Sequence, residues 1–273
     1  RGRRVASGAW LGAAAVAKAI PAFLVLFVVA RRDWRGAAGV GLAGVVGLGV
    51  IPVCMWGVDK TVEQHTFFVN NVLLAGTTGA GGEERFGQEL TETNATDSQS
   101  FQSALHHIRH FDLPRENRPP HASAGTRLTH WGLSGVLTLV TLVVARRRLT
   151  PDPADQLVLL GCLFALMMVV TPVSHMHYYA FLTPLASALW LKSVAARPGA
   201  VFADTRTVAA LAVWSAATSF PLFTGPPFST MRDVGLGTAA TVGLWAFGLG
   251  VLGRGRAAVA TAEPAPAPLR RAA

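Results

Sequence analysis

The sequence predicts an all-α protein, a polytopic bundle of transmembrane helices with one large polar loop holding short helices of its own. Two observations predict it. Of the 273 residues, 51% are hydrophobic and only 14% charged, where a soluble domain of this size carries roughly a quarter charged residues. The charges are also unevenly spread. Long apolar stretches hold almost none, and residues 57–127 hold nine of the fifteen acidic residues. Spans joined by loops give this pattern; one soluble core does not.

The first apolar segment, Gly8 to Ala30, is long enough to cross once. Arg1, Arg3 and Arg4 precede it, and Arg31, Arg32 and Arg35 follow it. A single crossing would leave one basic cluster outside, against the positive-inside rule. Lys18 and Pro21 sit mid-segment, where a charge is costly and marks a functional or cavity-facing place. The segment is therefore expected to fold as a hairpin of two short half-helices turning at Lys18 to Pro21, both basic ends inside. An ordinary Pro-kinked span is the alternative.

Six full spans are expected: Gly36 to Trp56, Leu128 to Ala145, Leu157 to Val173, Tyr178 to Leu191, Val208 to Phe223, and Val234 to Leu252. Residues 157–191 form nearly one apolar run. As one helix it would exceed about 50 Å, far beyond the hydrocarbon thickness. It must break at its polar cluster, Thr171-Pro172-Val173-Ser174-His175-Met176-His177-Tyr178-Tyr179, where Pro172 also weakens the helix. That cluster becomes a turn at a membrane surface.

Basic clusters set the orientation. Arg31 to Arg35, Arg146 to Arg148, Lys192 to Arg206 and Arg254 to Arg271 lie inside; the loop 57–127, the His175 turn and the Pro226-Pro227 turn lie outside. All eight histidines, at 65, 106, 107, 110, 121, 130, 175 and 177, then fall on the outer side or its membrane edge. The outer face is the expected location of any chemistry. Within the loop, Val58 to Leu74 reads as an interfacial amphipathic helix and Thr77 to Gly82 as a flexible linker. Ser98 to Phe111 reads as a short helix capped by Asp97 or Ser98, and Arg115 to Thr126 as irregular. Residues 1–273 form one membrane domain with the loop inserted; the Ala/Pro-rich tail, 254–273, is expected to be a disordered cytoplasmic segment.

The net charge of +9 does not imply nucleic acid, because it sits in clusters beside spans and no recognition motif accompanies it. Cys54 and Cys162 fall inside apolar runs and read as small buried hydrophobes. Gly39-Val40-Gly41-Leu42-Ala43-Gly44 matches a dinucleotide-binding pattern but lacks the strand and acidic residue that pattern needs. Gly36, Gly39, Gly44, Gly47 and Gly49 instead fit close helix packing. His106 and His110 share a helix face and could hold a metal, but no further ligand follows at convincing spacing, so no metal site is assigned. His175, His177, Tyr178 and Tyr179 at the turn could bind a phosphate, relay a proton or anchor the interface. Lys18 reads equally as a snorkelling residue or as a cation for a lipid phosphate. Thr96-Asp97-Ser98-Gln99-Ser100-Phe101 reads as a helix cap or as an acid and amide facing a polar substrate.

The order of these motifs resembles a known family. Ala17-Lys18-Ala19-Ile20-Pro21, then Arg31-Arg32-Asp33-Trp34, then Asp97-Ser98-Gln99-Ser100-Phe101, then Thr171-Pro172-Val173-Ser174 ending in His177-Tyr178-Tyr179, is similar to glycosyltransferase family 87. These are polyprenyl-phosphate-mannose-dependent mannosyltransferases of the multi-spanning GT-C class. The resemblance spans roughly Gly8 to Leu191. Ser98 stands where the family has Asn, and His175 where it has Trp, so His177 takes the family's His position and His175 inherits no role.

The resemblance implies an inverting transfer, without cofactor, on the outer face of a bacterial-type plasma (inner) membrane. A hexose, here expected to be mannose, moves from a polyprenyl-phosphate sugar to a lipid or glycan acceptor, among membrane lipids and with no nucleic acid involved. Lys18, Asp97, Gln99, Ser100, His177 and Tyr178 are the expected substrate-binding residues. The family's catalytic Asp is expected in a first outer loop upstream of residue 1, with Asp97 the best substitute within the chain. The chain, which opens on Arg1, then resembles an amino-terminally truncated fragment, inactive alone. Two other classes remain open: a transporter or lipid flippase using the Lys18 break, and a His-dependent metal hydrolase using His106, His110 and His177.

Overall fold

The computed structural model describes residues 2–78, 92–93, 98–196, 203–223 and 225–252. The tail 254–273 and residues 79–82 of the expected linker lie outside them, while Thr77 and Thr78, expected in that linker, end a helix. Eleven helices follow in order: α1 (Gly2–Ala17), α2 (Ile20–Ala30), α3 (Trp34–Trp56), α4 (residues 58–78), α5 (Phe101–Arg109), α6 (Ala124–Arg148), α7 (Pro153–Val170), α8 (Thr183–Ala195), α9 (Thr205–Ser219), α10 (Pro226–Asp233) and α11 (Leu236–Val251). The only β pairing among the described residues is an isolated bridge between Glu92 and His121. The fold is an all-α bundle of the membrane type.

Helices α3, α6 and α7 are long and apolar enough to cross a membrane, and α2 and α11 are shorter apolar helices. The predicted span from Tyr178 to Leu191 forms differently. A 3-10 segment, Met176–Leu182, precedes α8, and the α-helix starts at Thr183 with Pro184 in its first turn. Proline suits that place, because its missing N–H would have no partner there. The predicted span from Val208 to Phe223 begins at Thr205, capped by Asp204. The segment Thr205–Leu222 and α10 stand at 116° to each other.

Helix α1 ends where its sequence stops supporting it. Pro21 offers no N–H to the carbonyl of Ala17, and Ile20–Leu24 winds as a 3-10 helix before α2 resumes the α form. The contacts between α1 and α3 reveal the direction of the turn. Gly8 lies against Gly36, Gly12 against Val40 and Ala43, and Val16 against Gly47. Residue numbers rise together, so the two helices run parallel. Arg3 and Arg4 therefore lie at the same end as Arg31 and Arg35, and the tip at Lys18 is at the other end. With a rise of about 1.5 Å per residue, α1 covers roughly 24 Å, most of the roughly 30 Å hydrocarbon layer. The chain enters, turns back and leaves on one side.

Glycine makes that approach possible. A Cβ on Gly8 would overlap the Gly36 carbonyl, and one on Gly39 would overlap the Val5 carbonyl. Gly36, Gly39 and Gly47 thus serve close packing, whereas Gly44 and Gly49 face open space, contrary to the sequence expectation. Asp33 opens α3 by accepting from the amide of Gly36 at 3.1 Å.

Helices α7, α8, α9 and α11 alternate in direction, as bonds at both ends show. At the basic end Lys192, late in α8, is ion-paired with Asp155, early in α7, and Ser193 bonds Asp204 before α9. At the loop end the segments 98–100, 172–174 and 232–238 are bonded together. Helix α7 forms the centre: 61% of its apolar window is buried, against 11% for α3. Leu159, Leu163, Leu166, Leu185 and Leu189 fill the core around it. Cys162 joins that core, but Cys54 is exposed on α3, correcting its expected burial; α3 packs mainly through its glycine face.

Helix α6 is polar on its inner face. Thr126, His130, Ser134 and Thr141 are buried, while Leu128, Val136 and Leu139 are exposed. In lipid this is the favourable arrangement, since polar groups find partners only inside the bundle. Trp245 of α11 donates to Thr141 Oγ1 at 2.9 Å.

Two alanine substitutions test the α1–α3 seam. Gly39→Ala should destabilise the protein by about 1–3 kcal/mol, the usual cost of overpacking, read as a lower thermal midpoint in detergent. Gly41→Ala, with nothing within 4 Å of the added Cβ, should leave the midpoint unchanged or raise it slightly. Equal effects would contradict the close approach.

Candidate functional site at the loop end of the bundle

The hairpin tip and the turn after α7 meet. Lys18 Nζ donates to Tyr178 Oη at 2.9 Å and lies 4.7 Å from the centroid of the same ring. The His177 ring packs edge-on against Tyr178 at 4.5 Å, and His175 stacks on His177 at 5.5 Å, the ring planes nearly parallel at 8°. Tyr178 is buried; Lys18 and His177 are exposed. One exposed ammonium and one exposed imidazole thus flank a buried phenol, with the half-buried imidazole of His175 beside them. The chemistry suits an anion, because an ammonium supplies charge while hydroxyl and imidazole N–H groups supply oriented donors.

The turn has a local cause. Pro172 ends α7, whose last residue is Val170. His175 precedes the 3-10 segment, and its carbonyl accepts from Tyr178 N at 2.9 Å. His177 and Tyr178 therefore have positions fixed by residues 171–175.

Those residues are held by the loop. Gln99 N donates to Ser174 O at 2.6 Å, and Ser174 N donates to Ser98 Oγ at 3.0 Å. Ser100 Oγ donates to Pro172 O at 2.6 Å. From the other side, Thr238 Oγ1 donates to Gln99 O at 2.5 Å, and Gln99 Nε2 to Arg232 O at 3.3 Å. Gln99 and Ser100 are buried, at 3% and 0% exposure. The structure thus brings Lys18, His177 and Tyr178 together, and joins Gln99 and Ser100 to them through backbone. Asp97 lies outside the described residues. The helix cap expected at Asp97 or Ser98 is instead Ser100, whose hydroxyl accepts from Ser103 N at 3.2 Å. Ser98 is already engaged by Ser174, a partner 76 residues away in the sequence.

A second buried cluster pins the far part of the loop. Arg118 Nη1 bonds Asp233 at 2.8 Å and donates to His107 Nδ1 at 3.0 Å. His106 Nε2 donates to Pro119 O at 3.0 Å. The rings of His106 and His110 lie 4.9 Å apart, but no group of three or more His, Cys, Asp or Glu converges as a metal site among the described residues. Sequence reasoning missed Arg118, Asp233 and Thr238, since no spacing rule links them to the loop helix.

These features define a membrane-embedded helix bundle whose polar loop braces an anion-suited turn at one end. The chain belongs to glycosyltransferase family 87, whose sequence profile matches residues 1–172. It is accordingly a membrane glycosyltransferase. Lys18, Gln99 and Ser100 fall within the matched stretch, while His177 and Tyr178 lie just beyond it. No curated protein and no solved structure matches the chain.

Burial gives the loop cluster a pH dependence. It pushes His107 down from 6.5 to about 4, and the charge of Arg118 adds to that shift while Asp233 opposes it. Burial likewise lowers His106, helped by neighbouring His110. A histidine depressed in the folded state binds fewer protons than in the unfolded state between about 4 and 6.5. Stability contributed by the neutral ring is therefore present above pH 6.5 and lost as pH falls towards 4. Limited proteolysis of the loop should accelerate across that window, and His107→Gln should flatten the response. An unchanged acid response in His107→Gln would assign it to other groups.

Proposed function

We propose that the protein transfers a hexose, mannose in the first instance, from a polyprenyl-phosphate donor to a lipid or glycan acceptor. The reaction takes place at the outer face of a bacterial-type plasma membrane, on a GT-C-type scaffold. The observation that carries this reading is the contact of Lys18 with Tyr178 beside His177, at the end of the bundle opposite the basic clusters. An ionised phosphate needs such a cation and donor set, and a lipid-linked phosphate needs it at headgroup depth.

The bonds balance simply. The acceptor oxygen forms a bond to the anomeric carbon while the bond from that carbon to the phosphate oxygen breaks, with inversion. The acceptor proton goes to a carboxylate base, and the polyprenyl phosphate leaves with the electron pair and one more negative charge than it had as a diester. Groups aimed at that developing charge accelerate the step. Lys18 supplies fixed charge, and His177 and Tyr178 supply hydrogen bonds. The reaction itself requires neither redox change nor nucleotide.

In the full-length enzyme, His177→Ala should lower turnover at least about tenfold, since losing roughly 1.4 kcal/mol at the transition state does that. Lys18→Gln should lower kcat/KM for the lipid donor by a similar factor or more. His175→Ala should cost less. Full activity in His177→Ala would remove the phosphate-site assignment. Membrane orientation has its own check, in a background lacking Cys54 and Cys162. A cysteine replacing Asn117 should react with an impermeant thiol reagent on intact cells, and one replacing Ala196 should react only after permeabilisation. The reverse pattern would overturn the outer-face assignment.

A further inference from the structure

Gln99 and Ser100 were expected to touch substrate. Their side chains also bond the protein itself. Both are buried, and the hydroxyl of Ser100 is spent on Pro172 O while the amide nitrogen of Gln99 reaches Arg232 O. The backbone of residues 172–174 has left the helix, so its polar groups have no helical partners, and Ser174 is fully buried. Buried backbone groups without partners are costly. The loop supplies them: Ser98 accepts from the amide of Ser174, the amide of Gln99 donates to Ser174 O, and Ser100 donates to Pro172 O. Thr238, at the start of α11, holds the other face of the same link through Gln99 O. The loop residues 98–100, backed by Thr238, thus close around one short piece of backbone. That piece leads directly into His175 and the 3-10 turn carrying His177 and Tyr178.

We infer that Ser98, Ser100 and Thr238 are positioning residues. They pin the backbone of residues 172–174 and thereby set where His177 and Tyr178 meet the donor phosphate. This rests on the phosphate reading proposed above. Its physical basis is the steep distance dependence of charge-assisted bonds: a turn displaced by about 1 Å no longer meets the developing charge, and misplacement of that size costs up to about a hundredfold in rate. The loop motif and the turn motif are therefore one device. The first holds the backbone from which the second presents its side chains.

The test uses the full-length enzyme and two readouts. In the first, turnover is measured for Ser100→Ala, His177→Ala and the double variant. Ser100→Ala should lower turnover about tenfold alone but clearly less, about threefold or under, in the His177→Ala background, where only its effect through Tyr178 remains. The same multiplicative loss in both backgrounds would overturn the inference. The second readout is hydrogen exchange at the amides of residues 174–178, which does not depend on catalysis. Ser100→Ala and the isosteric Thr238→Val should speed exchange there at least about tenfold, and Thr238→Ser, which keeps the hydroxyl, should match the parent in exchange and turnover. Unchanged exchange in both Ser100→Ala and Thr238→Val would refute the pin whatever His177 does. Faster exchange with fully active His177→Ala would instead fault the phosphate reading and, with it, the assignment of a positioning role.

Discussion

A backbone-to-backbone approach between α1 and α3 determines where the rest of the site can be. Gly8 and Gly39 let the two helices touch with no side chain between them. The parallel register of that contact carries the hairpin tip to the loop end of the bundle. Were α1 to continue straight through, Lys18 would lie at mid-depth and could not meet a turn that emerges after α7. Because the chain reverses instead, a costly buried charge becomes a surface cation with a partner, Tyr178. The usual cost of a charge inside a membrane segment is thereby avoided by geometry.

The loop end is then built in layers. The hairpin supplies the cation. The break after α7 supplies the hydroxyl and imidazoles. The loop supplies the bonds that the broken helix lacks. A further layer, Arg118 with Asp233 and His107, ties the outer part of the loop to the start of α11 through α10. These layers differ in polarity from the bundle beneath them, where α7 is surrounded by leucines and α6 turns its polar stripe inwards. Family membership and this architecture agree on a membrane glycosyltransferase.

Much of this was legible in the sequence, for physical reasons. Spans are legible because lipid demands about 20 apolar residues per crossing, and the loop is legible because it concentrates acidic residues. The reversal at Lys18 could be read from its paired basic flanks, its charge and Pro21. The break near Pro172 followed from the length of the apolar run, its one polar cluster and the proline. What stayed hidden depends on contacts between distant residues. The bond between Lys18 and Tyr178 links positions 160 apart, and the one between Arg118 and Asp233 links positions 115 apart. The cap of α5 shifted to Ser100 because Ser174 occupies Ser98, which local sequence does not encode. Gln99 and Ser100 are substrate-binding candidates by the resemblance alone, and their burial is visible only in three dimensions.

The most direct test of the hairpin is a disulfide. A Cβ placed on Gly47 would lie 3.3 Å from the Cβ of Val16, close to the usual range for a bridged pair. In a background without Cys54 and Cys162, cysteines at Val16 and Gly47 should form an intramolecular bond rapidly under mild oxidation in native membranes. Cysteines at Val5 and Gly47, near opposite ends of the parallel helices, should not. Rapid bridging of the Val5 pair with none at Val16 would mean that α1 runs antiparallel to α3, and would place Lys18 away from the loop end altogether.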